Sequence, residues 1–283
     1  MSTNYELSRA KVLLQSDYGV NQKIGVALVS SVGGPEQDTE LKTLLSNSSQ
    51  KLAWCLFYHL QTHIEQIYIK GAEYTGSSDL KILEQFPNLT KVYITEKGYR
   101  GQNYFHKKEK MLPKLKVLSL ARNEMGFPSG VCYHTNLEKL YLNHNLIGKI
   151  PAEIHQLKQL KVLSLSHNRM HRVSSYLGCL RELEILNLSH NYLKSFSGGV
   201  ETLPKLEILN ISHNYIQELP NWIHKMTNLK QLNIRQNKLS ELPECIEQMT
   251  HLETLYLEGN PVCKDSRYMD YLEACLPNTI IKY

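Results

Sequence analysis

Cysteine is sparse in this 283-residue chain, and the six present, at 55, 132, 179, 245, 263 and 275, include no C-x-x-C pair. That spacing excludes a zinc knuckle or a redox dithiol. Long apolar runs are missing too. The strongest, Leu52 to Leu60, falls far short of the roughly 20 residues that a membrane span needs. The opening MSTNYELSRA has neither the charged region nor the apolar stretch of a signal peptide. The phosphate-cradling G-x-x-x-x-G-K-[ST], the zinc-protease H-E-x-x-H and the nucleophile elbow G-x-S-x-G are all absent. Neither sign of charge dominates: the net value is +5, too modest to mark the chain as a nucleic-acid binder. These absences lead to the expectation of a cytoplasmic, monomeric protein that is not an enzyme, needs no cofactor and contacts neither nucleic acid nor membrane. Export by a signal without an apolar segment, as bacterial effectors use, stays open.

What the chain has instead is one frame written seven times: LKVLSLARN, LEKLYLNHN, LKVLSLSHN, LEILNLSHN, LEILNISHN, LKQLNIRQN and LETLYLEGN. The closing residues are Asn123, Asn145, Asn168, Asn191, Asn214, Asn237 and Asn260, a step of 22 residues once and then 23 five times. Repetition at this period means stacked units, each too small to bury its own apolar face. Within the frame, Leu163 and Leu165 flank Ser164, the period-2 alternation of a short strand with one face buried. Stacked in register, the copies make a parallel sheet with strands roughly 4.8 Å apart. The apolar position two residues past each Asn is filled in every copy, by Met125, Ile147, Met170, Leu193, Ile216, Leu239 and Val262. The Asn itself is expected to point inward, because an amide both donates and accepts where the chain leaves the strand.

These residues resemble the leucine-rich repeat family, in its typical 23-residue class, where the back of the unit reads L-P-x-x-I. Leu219-Pro220, Leu242-Pro243 and Ile150-Pro151 carry that signature, while Ser174 and Ser197 stand where proline would be. The resemblance implies an α/β fold: a right-handed, curved leucine-rich repeat solenoid, with a parallel sheet on the concave face and loops or short helical turns on the convex one. The frame decays upstream but can be followed through Leu89-Thr-Lys-Val92-Tyr-Ile94 and Ile64-Glu-Gln-Ile67-Tyr-Ile69, with Lys97 and Ala72 in place of the Asn. About nine strands are therefore expected over residues 64–262. Residues 1–63 are expected to form a helical N-terminal cap, with Leu7, Ala10, Val12, Leu13 and Leu14 on its first helix. The tail, 263–283, resembles the short helical cap of intracellular members, although its Arg267-Tyr268 pair is reversed.

Solenoids bind things, so function should lie on the face the strands present. The outward columns can be read off the frame. One is Tyr68, Tyr93, Ser119, Tyr141, Ser164, Asn187, Asn210, Asn233 and Tyr256; the next holds Asn143, Ser166, Ser189, Ser212, Arg235 and Glu258. Tyr and Arg are frequent interface anchors. Tyr68, Tyr93, Tyr141 and Asn143 at one end, and Arg235 and Tyr256 at the other, are therefore candidate contacts for a protein partner. Val162, Ile185 and Ile208 form an aliphatic strip between them. A histidine column, His144, His167, His190 and His213, precedes the frame Asn in four copies. It joins the candidate contact set, with a metal-dependent or catalytic role as the alternative, two imidazoles sharing one ion. Finally, Arg100, Lys107 and Lys108 lie in a basic insertion that could contact a partner.

Overall fold

A computed structural model describes residues 64–70, 83–95, 112–196 and 199–283, with single positions upstream (7, 8, 10, 11, 13–15, 26, 29, 44, 45 and 62). The chain divides into two compact units, Met1–Asn123 and Glu124–Tyr283.

In the first unit, the decayed copies do form strands. β1 (Gln66–Lys70), β2 (Lys91–Thr95) and β3 (Val117–Ser119) pair in parallel, with Tyr68 opposite Tyr93 and Tyr93 opposite Ser119. Their inward residues, Ile67, Val92, Ile94 and Leu118, are buried, so the apolar alternation alone suffices to make the strand. Upstream, Leu7, Ala10, Leu13 and Leu14 are helical, and Ala10 and Leu14 are buried. Val12 and the Leu52–Leu60 segment of the expected N-terminal cap lie outside the described residues.

In the second unit each copy supplies a three-residue strand: β4 (Lys139–Tyr141), β5 (Val162–Ser164), β6 (Ile185–Asn187), β7 (Ile208–Asn210), β8 (Gln231–Asn233) and β9 (Thr254–Tyr256). All pair in parallel and in frame register, so that Leu163, Leu186 and Leu209 stand opposite one another. Opposite the strands, each coil returns through a short 3-10 turn, such as Ala152–Gln156, Asn221–Lys225 and Glu244–Gln248. Pro151, Pro220 and Pro243 cap those three turns, a place where a fixed φ and a missing N–H cost nothing. Gly199 has φ +83° at the start of the turn Val200–Thr202, and a Cβ there would lie 2.4 Å from the Ser175 carbonyl oxygen. Only glycine lets those two backbones approach so closely. Cys132 is a buried, apolar packing group, its thiol pushed up to about 12 first by burial. Cys179 and Cys245 are only half-buried.

The tail is more than a helix. α1 (Ser266–Cys275) starts at Asp265, whose carboxylate accepts from the Arg267 and Tyr268 amides, and it buries Met269 and Leu272. A tenth strand then follows, β10 (Ile280–Lys282), pairing in parallel with β9. The frame is absent from these three residues. The strand forms because β9 would otherwise leave its backbone groups unpaired.

The inward asparagines are filed as the frame requires. Asn191 donates to the carbonyls of Leu165 and Leu188, both at 3.0 Å, and its Oδ1 accepts from the Met170 amide at 3.0 Å. Asn168, Asn214, Asn237 and Asn260 repeat the pattern one coil at a time. Replacing Asn191 with Ala would strand the buried Met170 amide and take one of two donors from each of the Leu165 and Leu188 carbonyls, which Asn168 and Asn214 still reach. With about 1–3 kcal/mol for the unpaired amide and about 1 kcal/mol or less for each shared bond lost, Asn191→Ala should lower unfolding free energy by about 2–3 kcal/mol in urea titration; a loss below about 1 kcal/mol would mean that the amides are replaceable.

Candidate functional site

On the second unit the first outward column is continuous: Tyr141, Ser164, Asn187, Asn210, Asn233 and Tyr256 stand opposite one another strand by strand. Size decides what each presents. Tyr141, the asparagines and Tyr256 are half-buried, whereas Ser164 is buried. In the second column Asn143, Arg235 and Glu258 are half-buried, but Ser166, Ser189 and Ser212 are buried. The expectation that this Ser/Asn zone faces solvent throughout is therefore corrected. With strands under 5 Å apart, Ser164 is covered by its larger neighbours Tyr141 and Asn187, while Ser166, Ser189 and Ser212 are short enough to stay below the surface side by side. Its asparagines also have local work, since Asn187 accepts from the Ser189 amide at 3.0 Å and Asn210 from the Ser212 amide at 3.1 Å. The aliphatic strip Val162, Ile185 and Ile208 is half-buried and in register.

Tyr256 is the best-framed aromatic ring. The Arg235 guanidinium lies 5.5 Å from its centroid and the Lys282 ammonium 5.1 Å, so its π face is held between two cations. Lys282 comes from β10 and could not be anticipated from the frame. In the first unit Tyr68 and Tyr93 stack with centroids 4.5 Å apart and planes 3° from parallel, while Ser119, next in that column, is buried. Arg100, Lys107 and Lys108 lie outside the described residues.

The histidines form a stacked ladder. Centroids are 4.0 Å apart for His144–His167, 3.9 Å for His167–His190 and 4.0 Å for His190–His213, with planes 10–11° from parallel. Each of the four has φ of 52–54°, and so do their equivalents Arg122, Gln236 and Gly259 have positive φ. The left-handed conformation explains the residue choice, because His tolerates it better than most side chains and Gly best of all. Glycine at 259 was the sequence signal for that backbone. Stacking bears on the metal alternative. A nitrogen lone pair lies in the ring plane, so an ion midway between parallel rings 4 Å apart would sit about 2 Å out of both planes, contrary to what ligation needs. In this arrangement two neighbouring imidazoles cannot share one ion.

A row that the sequence reading passed over follows the asparagines: Leu146, Arg169, Tyr192, Tyr215 and Lys238. All are exposed. Tyr192 and Tyr215 stack at 6.2 Å, His171 stacks on Tyr192 at 5.4 Å, and the Lys238 ammonium is 5.1 Å from the Tyr215 centroid. The available signal was two adjacent repeats both reading H-N-Y.

Comparison with known proteins agrees with this geometry. A profile described as leucine rich repeat matches residues 135–193, 181–239 and 204–262. The chain is a leucine-rich repeat protein. A leucine-rich repeat protein of Leptospira interrogans is 28% identical with a TM-score of 0.63, the match covering 77% of this chain and 54% of that one. This chain thus spans about half the length of that relative. An internalin of Listeria monocytogenes shares the fold at 18% identity and TM-score 0.64, over 98% of this chain and 87% of its own. The ectodomain of the plant receptor kinase GASSHO1/SCHENGEN3 from Arabidopsis thaliana, in complex with CASPARIAN STRIP INTEGRITY FACTOR 2, is 23% identical with a TM-score of 0.52, over 64% of this chain and 22% of that one. Comparison with curated protein sequences returns no match.

The leucine-rich repeat's histidine ladder carries a pH consequence. His190 is held down to about 4, first by burial, then by the nearby His167, His213 and His144 and by Arg235. The folded state thus refuses a proton that the unfolded chain accepts near pH 6.5. Stability is full above about pH 6.5 and falls as pH drops toward 4, where the loss levels off. Discounted for solvent screening, the loss is about 1 kcal/mol. Urea titrations at pH 7 and pH 4.5 should show that part of the difference disappear in His190→Asn, which suits the same backbone. An unchanged pH dependence in the variant would place the acid sensitivity elsewhere.

Proposed function

We propose that this protein is a non-catalytic recognition module whose strand face, over residues 124–283, holds another protein. The observation that carries the reading is the pairing of an aliphatic row with a framed aromatic anchor on one sheet. Val162, Ile185 and Ile208 line up in register and half-buried, and Tyr256 stands on the same face between Arg235 and Lys282. The row offers apolar area that association can bury at about 25 cal/mol per Å². Tyr and Arg offer large contact area with few rotors and polar tips that fix orientation. Three-residue strands held by neighbours on both sides move little, so the face is preorganised and loses little entropy on binding. The same fold is found in complex with CASPARIAN STRIP INTEGRITY FACTOR 2 in the Arabidopsis ectodomain, a use of the fold that supports the reading. A monomer acting in the cytoplasm, without cofactor, is part of the proposal.

Affinity capture from the cells of origin, with quantitative mass spectrometry, tests it. Arg235→Ala/Tyr256→Ala should deplete the specific partner by about tenfold or more, since two anchors of this type each contribute at least about 1 kcal/mol. If the double variant retains every specific partner at native yield, the strand face is not the contact.

A further inference from the structure

The strand face is not the only ordered surface of the second unit. Immediately past each buried Asn the chain runs along an edge, and that edge is a ladder in its own right. The amide of Arg169 donates to the Ile147 carbonyl at 2.9 Å, Tyr192 to Met170 at 2.8 Å, Tyr215 to Leu193 at 2.8 Å and Lys238 to Ile216 at 2.8 Å. Side chains at this position are therefore held one repeat apart. Leu146, Tyr192 and Tyr215 are exposed to 41%, 44% and 43%, and the two tyrosines stand together instead of singly.

Charge on this edge is one-sided over three repeats. The segments 144–150, 167–173 and 190–196 read HNLIGKI, HNRMHRV and HNYLKSF. They contain Lys149, Arg169, Arg172 and Lys194, all exposed, and not one carboxylate. Acidic residues return only with Glu218 and Glu241 in the next two repeats. A chain of net charge +5 thus gathers four cations beside its exposed aromatic pair. Elsewhere on the unit, by contrast, Lys205 meets Glu182 at 2.6 Å and Lys230 meets Glu207 at 3.0 Å.

We propose that this edge is a second docking site, which takes an extended acidic segment of a partner protein carrying an apolar or aromatic anchor. The inference rests on the protein-recognition reading above but assigns a different surface. Carboxylates of such a segment would pair with Arg169, Arg172 and Lys194, and its anchor would lie against Tyr192 and Tyr215. Arg is suited to this work because its planar fork meets a carboxylate in two parallel hydrogen bonds. Alternate side chains of an extended peptide recur every 6.5–7 Å, which lets one face supply the charges and the anchor together. A single-stranded polynucleotide could satisfy the cations and stack its bases on the tyrosines, but would leave the exposed Leu146 without an apolar counterpart.

The test is fluorescence anisotropy of the full chain with a fluorescein-labelled random Glu–Tyr copolymer peptide. Charge reversal by Arg169→Glu/Arg172→Glu should weaken binding by about tenfold or more, and neutralisation by Arg169→Gln/Arg172→Gln by about threefold. Tyr192→Ala/Tyr215→Ala should weaken it by about fivefold, with circular dichroism confirming that each variant is folded. The same charge change placed off the edge, Lys158→Glu/Lys225→Glu, should act by less than about twofold. The proposal is overturned if the peptide does not bind. It is equally overturned if the off-edge variant matches the edge variant, or if an oligothymidylate of equal charge binds more tightly than the peptide. Because the probe is synthetic, any of these outcomes leaves the strand-face capture result standing.

Discussion

Where the strands end, each coil of residues 124–283 is fastened to the one before it by a buried primary amide. Asn191 gives its hydrogens to a carbonyl of its own coil and to one in the preceding coil, and takes the Met170 amide in return. The chain must leave a three-residue strand and turn, and no sheet ladder can satisfy the backbone there. An inward Asn solves this because it is the shortest side chain with both a donor and an acceptor end. Once that amide is fixed, register follows. Leucines of successive coils stack in the core, the residues before the Asn fall into the left-handed turn, and those after it form the edge ladder.

Surface chemistry is then set by side-chain size within rows that the amides hold. Where a row contains serine, as at 164, 189 and 212, the short side chain stays buried between adjacent coils. Where it contains Val162, Ile185 and Ile208, or a tyrosine between cations, it offers material for association. The histidines illustrate how closely structure and surface are tied. Their place is dictated by backbone conformation, their stacking by coil spacing, and the reluctance of His190 to take up a proton by burial and by the neighbouring rings. A ladder of this kind is first a structural filling, and its parallel rings are poorly arranged for a shared metal ion.

Much of this was legible in the chain. The Asn spacing gave the repeat, the apolar alternation gave every strand from β1 to β9, and even Ile64–Ile69, which lacks the full frame, paired as expected. Three features were hidden for physical reasons. β10 has no frame because it is recruited by the open edge of β9, a contact between residues distant in sequence. The burial of Ser164, Ser189 and Ser212 depends on neighbours in adjacent coils, which a single column does not display. The edge row of Arg169, Tyr192 and Tyr215 reads as loop in the sequence, and only the hydrogen bonds from coil to coil show that it is ordered. Of the candidate contacts, Arg235 and Tyr256 proved to be neighbours in space, while Tyr68 and Tyr93 pair with each other.

Amide hydrogen exchange reports on the asparagine column most directly. The Met170, Leu193 and Ile216 amides sit just beyond the strands, where an unassisted turn would exchange within seconds. If the side-chain oxygens of Asn191, Asn214 and Asn237 hold them, all three should exchange only with global unfolding, as slowly as the strand amides and with the same denaturant dependence. Exchange of these amides at loop rates, while the strands stay protected, would contradict the account.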